Sequence, residues 1–443
     1  MNIRRLARAA LIRIAALAGI LIAVTLFINL PWFDEELHED LVPLTSPRDV
    51  PLEGNAYPLV VGFLAAADQD PREAGLRIIE AQREHFRTSG HTGRPPNADR
   101  ALLPGALPAP SWRQFIGGDT CDPRTELDCA DRAIAALAAK PVDDPAVQLL
   151  MARYQRILEE SRFEETQEFG AANLPDYGAL LTIARLRLAQ SAREADFSRV
   201  LAIVGEDMRF WKRVLEGDGT LMAKMLALAG IRSGAIYLSA LMRLRTPGEN
   251  ELRQMPLVIS RFAEGERDIG ETFMAETRFG LLGDPKLGGT ASTPLGGLLG
   301  QENATLNDYY TSIVLPLRLL ASLDASEFHR QKLDTPKHYR MQLMPPPLYN
   351  LAGKQFVKIR MSIGMSAYQD YIARVHDVDG LIALVLLQAE IALNKEKPVE
   401  EVVAESQHRN PYTRAAMDYD AAAGTISFSC LARSKEFCVL RIR

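Results

Sequence analysis

Four cysteines are the residues of this chain most ready for covalent chemistry. Cys121 and Cys129 lie eight positions apart, and Cys430 and Cys438 repeat that separation. Four cysteines allow three connectivities, and two local loops of equal size make Cys121–Cys129 and Cys430–Cys438 the expected disulfides. Each bridge in an oxidising compartment would contribute roughly 2–3 kcal/mol by the chain-entropy relation. Zinc knuckles set paired cysteines closer together than this, so the spacing points away from metal. Reduced thiols are the other alternative. The histidines (His38, His85, His91, His329, His338, His376 and His408) are scattered and form no His-Glu-x-x-His motif. His85 and His91 straddle an expected helix end, and a proline separates His329 from His338, so neither pair has the spacing of two ligands on one face. A metal site is not expected.

Nucleophilic catalysis would place a serine on a strand-to-helix elbow, and no Gly-x-Ser-x-Gly occurs. Ser362 and Ser366 precede His376, Asp377 and Asp379, an order that reads more simply as a capped junction between two helices. The carboxylate pairs Glu159-Glu160, Glu164-Glu165 and Glu400-Glu401 fall at helix ends or on charged faces, where solvation accounts for them. Residues 280–300 hold seven glycines but neither phosphate-loop spacing, which leaves a connector or a mobile flap over a groove. Tyr309 and Tyr310 beside Asn307 and Asp308 suit a binding groove or a helix start equally. No catalytic, cofactor-binding or metal residue is therefore assigned, and no cofactor is expected.

The elements that must position these residues begin at the N-terminus. Arg4, Arg5, Arg8 and Arg13 make residues 1–13 a basic tail before the uncharged run 14–33, which is followed at once by Asp34, Glu35, Glu36, Glu39 and Asp40. Twenty helical residues span roughly 30 Å, the thickness of a bilayer's hydrocarbon core. Basic residues stay on the cytoplasmic side, and Trp32 sits where an amphipathic ring suits the headgroup layer. A cleaved signal peptide would need small residues near the cleavage point, where this run has Ile28-Asn29-Leu30-Pro31-Trp32-Phe33. An uncleaved anchor through residues 14–33 is the expectation, with the N-terminus cytoplasmic. Residues 34–56, acidic and carrying Pro43, Pro47 and Pro51, read as an extended stalk.

A helical domain over 57–395 should follow. Asp70-Pro71 and Asp144-Pro145 combine a capping aspartate with a proline at the first helical position. Apolar steps of three and four then recur at Val147, Leu150, Met151, Tyr154 and Leu158, from Tyr177 to Leu188, and from Phe197 to Leu215. Residues 221–244 are apolar nearly all round, yet a second span would bury Lys224 and Arg232, so a helix inside a soluble bundle is expected. Pro316 should kink a helix over 306–323, and two more helices should run over 352–375 and 378–394. Residues 396–443 switch to alternating β-formers at 417–419, 425–430 and 437–442, a small antiparallel meander. The predicted fold is mainly α: an N-terminal apolar helix, an irregular bundle or solenoid-like body, and a small C-terminal β-meander.

Of 443 residues, 51 are basic and 56 acidic, a formal charge of −5. Setting aside the four N-terminal arginines makes the remainder more acidic, and no basic stripe interleaves with aromatics, so nucleic acid is excluded as a partner. Asn410-Pro411-Tyr412 with the closing hairpin, together with Leu221-Met222-Ala223-Lys224-Met225 and Asn303-Ala304-Thr305-Leu306-Asn307, resembles a family of proteobacterial single-span, membrane-anchored periplasmic proteins without assigned activity. Where that pattern places a glycine after the Pro-aromatic-Thr turn, this chain has Arg414. The resemblance implies a location at the bacterial inner membrane and no chemistry. The expectation is an inner-membrane-anchored periplasmic scaffold that binds a protein partner in the cell envelope, without intrinsic catalysis. An envelope hydrolase with a site assembled from distant residues is the alternative, and the oligomeric state stays open.

Overall fold

Capping side chains decide where the helices begin. Asp70, Asp144, Asp176 and Asp196 each accept backbone N–H groups from the first turn of the helix that follows, and Thr220 does the same for the next. These bonds are seen in a computed structural model that describes residues 3–45, 50–89, 103–116, 121, 126–139, 142–166, 175–283, 299–331, 348–433 and 438–442. In chain order the helices are α1 (Ile3–Ile28), α2 (Tyr57–Val61), α3 (Pro71–Ser89), α4 (Trp112–Ile116), α5 (Cys129–Ala139), α6 (Pro145–Glu159), α7 (Tyr177–Gln190), α8 (Phe197–Glu216) and α9 (Leu221–Arg245). They continue as α10 (Glu249–Val258), α11 (Glu264–Arg267), α12 (Gly270–Gly283), α13 (Glu302–Tyr309), α14 (Leu315–Ala321), α15 (Ala325–Gln331), α16 (Leu351–Leu393) and α17 (Val399–Glu405). Strands β1 (Asp418–Asp420), β2 (Thr425–Ser427) and β3 (Val439–Arg441) close the chain in the antiparallel order β1-β2-β3. The expected fold class, mainly helical with a small C-terminal sheet, is the one observed.

The chain divides into two units. The first comprises Met1–Pro47, Thr277–Leu317 and Leu333–Tyr368; the second comprises Arg48–Glu276, Arg318–Lys332 and Gln369–Arg443.

The second unit is built on the α8–α9 hairpin. Gly230 lets α9 approach so closely that a Cβ there would lie 2.4 Å from the Trp211 ring, and a Cβ at Gly234 would lie 2.7 Å from Met208. The apolar stretch of α9 is 83% buried, which fits the core helix predicted for 221–244. Lys224 is buried because its ammonium donates to the carbonyls of Val214, Leu215 and Gly217 at the end of α8, where the helix dipole favours a cation. Arg153 on α6 does similar work for a loop, donating to the carbonyls of Phe63, Ala65, Ala66 and Gln69. In the sheet, Tyr419 pairs Ile426 and Ile426 pairs Leu440. Gly380 of α16 receives the Phe428 ring, which a Cβ would meet at 2.4 Å.

In the first unit α1 makes almost no contact along its length, and Leu11, Ile14, Leu17, Ile20 and Ile22 are all exposed. Residues 34–45 differ from the extended stalk read from the sequence. They form a 3-10 turn at Val42–Thr45 and are held by hydrogen bonds to α13 and Tyr310, because the acidic side chains find helix N–H groups and amides there.

Two helix boundaries also differ. The stretch around Pro316 begins at Glu302, earlier than expected, and passes through a π-helical turn at Tyr310–Val314 before α14. The wider turn, with Leu315 N–H bonded to the Tyr310 carbonyl, accommodates a proline that has no N–H to donate. No junction occurs at His376-Asp377: α16 runs unbroken for 43 residues. Both side chains point into the core, where tertiary partners replace the capping role their sequence suggested. Residues 284–298 of the glycine-rich stretch, 90–102 and 117–119 of the surface loop that the prolines and glycines over 89–119 predict, the extended joint that Met344-Pro345-Pro346-Pro347 predicts, and residues 434–437 lie outside the described residues.

Candidate functional site

Polar side chains gather at three places in the described structure, and only one of them is open. The first is the buried centre of the second unit, where α16 presents His376, Asp377 and Asp379. Asp377 accepts the Tyr412 hydroxyl and the N–H groups of Leu431 and Ala432, both at 2.9 Å. Asp379 takes Arg261 bidentately at 2.7 and 2.6 Å and the Phe262 N–H at 2.8 Å. Burial pushes the Asp377 carboxyl up, against the pull of Tyr412 and the two amides. His376 is 1% exposed, neither ring nitrogen has a hydrogen-bond partner, and its ring lies 5.2 Å from Phe328. Burial pulls its pKa down to about 4, so the imidazole is neutral. Ser362, the nucleophile that the sequence order would suggest, donates its hydroxyl to the Ile359 carbonyl of its own helix. These contacts hold the C-terminal sheet and the Arg261 loop against α16.

Buried wiring of the same kind absorbs other candidate carboxylates. Glu165 accepts the Tyr177 hydroxyl and the Thr220 N–H. Asp207, fully buried, accepts the Tyr154 hydroxyl at 2.6 Å, and burial raises its pKa to about 7. Asp377, Cys430 and Cys438 place potential donor atoms within 4.8 Å of one another. The two sulfurs are bonded to each other at 2.08 Å, so they are not thiolates and the group does not suit a cation. Cys121 and Cys129 are likewise joined, at 2.03 Å, and both pairs are the ones predicted.

The second place is the region just after α1. The Asp34 carboxylate caps α13, accepting the Asn303 and Ala304 N–H groups at 3.0 Å. Asn307 donates to Glu35 and to the Glu36 carbonyl, accepts the His38 N–H, and Tyr310 donates its hydroxyl to Asp40. Asn350, fully buried with φ 53°, accepts the Gln301 N–H and the Thr305 hydroxyl, while its own N–H reaches Asn29. Tyr310 and Asn307, read from the sequence as groove or helix start, serve here to fix the chain that leaves α1.

The third place is a cleft of about 650 Å³ in the second unit, between the ends of α9 and α16, the start of α17 and the edge strand β1. Arg243, Thr246, Gln388, Lys395, Lys397 and Tyr419 supply its chemistry. Arg243 is held rigidly, its Nη2 donating to both Asp131 carboxylate oxygens at 2.8 Å and its Nη1 to the Ser239 hydroxyl and the Arg441 carbonyl. Lys397 pairs with Glu405 and Glu401, which raise its pKa. Thr246 closes α9 in the left-handed region, at φ 45°. A β-branched residue is costly there, and such strain concentrates at binding sites. The sequence carried no signal of this cleft, because its walls come from segments about 150 residues apart. Only the run of Asn394, Lys395 and Lys397 at a helix end hinted at a polar surface.

No protein-family model, curated protein or solved structure matches the chain.

Proposed function

We propose that the protein is a noncatalytic scaffold, anchored by α1 in the bacterial inner membrane with its body in the periplasm, that binds a partner protein of the cell envelope through the cleft. The observation that carries the binding role is the cleft itself: an open cavity of about 650 Å³ with a preorganised arginine, two lysines and a strained threonine on its wall. Arg243 and Lys397 are paired with Asp131, Glu401 and Glu405, so Lys395 is the cation on which an acidic segment of a partner would sit. The anchor reading draws support from an apolar helix left bare along its length, with basic residues confined to its N-terminal half and acidic ones after it. The disulfides suit an oxidising compartment. Buried Asp377 and Asp379 favour a structural role, since their oxygens are taken by backbone amides, the Tyr412 hydroxyl and the Arg261 guanidinium.

Site-specific photo-cross-linking in intact cells tests this reading. A benzophenone side chain at Tyr419 or Lys395 should yield one adduct of defined mass, and Lys395→Glu should abolish its stoichiometric recovery from gently solubilised membranes. The same probe at Leu257, 85% exposed and away from the cleft, should yield none. Equal labelling from Leu257, or none from the cleft, would sink the proposal.

A further inference from the structure

The first four turns of α16 carry two opposite apolar faces, and only one is covered by the described residues. Val357, Met361 and Met365 recur every four residues and are buried in the first unit. On the opposite side, Ile359 is 56% exposed and Ile363 74%, with Phe356 half-buried beside them. Steps of three and four put these three residues on one narrow stripe. Exposed Arg360 borders the stripe on one side, its guanidinium 5.4 Å from the centre of the Phe356 ring, and exposed Lys358 stands about 100° round the helix on the other, beyond Gln355 and Ser362. An apolar stripe bordered by basic side chains is the pattern of a helix lying in a lipid interface.

The start of α16 is tied to the end of α1. Asn29, the residue after α1, donates to the Leu348 carbonyl at 2.6 Å and accepts the Asn350 N–H at 2.8 Å. The Tyr349 hydroxyl donates to the Phe33 carbonyl at 2.9 Å. Trp32, next to it, is 83% exposed, as a ring serving the headgroup layer would be. These bonds set the first turn of α16 at the depth where α1 would leave a bilayer.

We infer that residues 351–363 of α16 lie in the plane of the membrane surface, with Phe356, Ile359 and Ile363 seated in the headgroup layer and Lys358 and Arg360 on anionic phospholipid. This rests on the anchor reading proposed above for α1. Lipid is the occupant the chain selects, because the face is continuous with the anchor's exit and its charge complements an anionic surface. Ile363 is thirteen residues past Asn350, roughly 20 Å along a helix, so an α16 standing away from the surface would carry it well into water.

Nitroxide labels on the full chain, reconstituted into vesicles containing phosphatidylglycerol, separate the outcomes. Labels go at Leu17→Cys on α1, Ile363→Cys on α16 and Arg253→Cys on exposed α10, and collisions with oxygen and with a water-soluble nickel chelate are compared. Oxygen should dominate at Leu17 and Ile363, and nickel at Arg253. Lys358→Gln with Arg360→Gln should lower the lipid-seated to free ratio about thirtyfold, some fivefold for each basic side chain lost. Nickel access at Leu17 would overturn the anchor reading. Oxygen access at Leu17 with nickel access at Ile363 would overturn this inference alone. A label at Ile363 shielded from both reagents would also overturn it, since protein rather than lipid would then cover the face. Unchanged collisions at Ile363 in the doubly substituted chain would remove the basic residues from the account.

Discussion

At the scale of single residues, Arg414 carries a local strain: it adopts φ 62°, a conformation that costs an L-residue roughly 1–2 kcal/mol. Its ion pair with Asp324, at 3.4 Å between largely exposed side chains, returns little. Arg414→Gly should therefore leave stability unchanged or raise it by up to about 1 kcal/mol, even after glycine's greater entropy in the unfolded chain. A loss of more than about 1 kcal/mol in thermal unfolding would assign the ion pair a larger role than its exposure allows. His376 makes a prediction about pH. It is neutral in the fold, with a pKa of about 4 against the usual 6.5, so the unfolded chain binds the extra proton as pH falls between those values. Its contribution is complete above pH 6.5 and is lost toward pH 4, at about 1.4 kcal/mol per unit in the steep part. His376→Leu should be nearly neutral at pH 7.5 and progressively more stable than the parent in denaturant titrations at pH 6 and 5. A constant difference across that range would mean that the ring is protonated in place, against Asp379 or Asp324.

At the scale of elements, close approach decides which helices and strands can meet. Phe428 of the C-terminal module fits over Gly380 because no Cβ intervenes. Gly380→Ala should cost about 1–3 kcal/mol through overpacking, and Phe428→Ala about 3–5 kcal/mol through a cavity. The double variant should fall short of their sum, since the methyl introduced on α16 no longer meets a ring. Strict additivity would show that the sheet does not dock there. Gly230→Ala should likewise destabilise by about 1–3 kcal/mol or more, because Trp211 is fully buried and has nowhere to move. A far-ultraviolet spectrum that keeps its helical form while the unfolding midpoint drops would confine the damage to this crossing. Helix starts were legible because an aspartate caps within its own turn; α16 was misread at His376-Asp377 because a capping residue and a buried polar residue look alike until the packing is known.

At the scale of the whole molecule, the cytoplasmic N-terminus and periplasmic body proposed from the charge order around α1 make a prediction. An alkaline phosphatase fused after residue 60 should be active in a bacterial host, and a cytoplasmic reporter fused at the same point should be silent. The reverse pattern would invert the topology and undermine the oxidising environment that the disulfides suit. Reduction should then matter: opening either loop, Cys121–Cys129 or Cys430–Cys438, should cost roughly 2–3 kcal/mol, read as a lower midpoint in reducing buffer. Paired Cys→Ser variants show which bridge contributes, and no shift for either would mean that the folded chain alone holds those loops closed.

The amino-acid order by itself determined the apolar N-terminal helix, the local disulfide pairing, the capped starts of α3 and α6, the periodic faces of α7 and α8, the burial of α9 and the C-terminal meander. Each rests on interactions within a few residues or on the summed hydropathy of one segment. Only the tertiary structure decided that residues 34–45 are held on α13, that α16 runs unbroken past His376, that Arg153 spends its charge on distant carbonyls, and that a cleft opens beside Thr246. Those features join segments tens to hundreds of residues apart. Their pairing energy depends on which surfaces meet, and that is a property of the packed chain, not of any stretch of it.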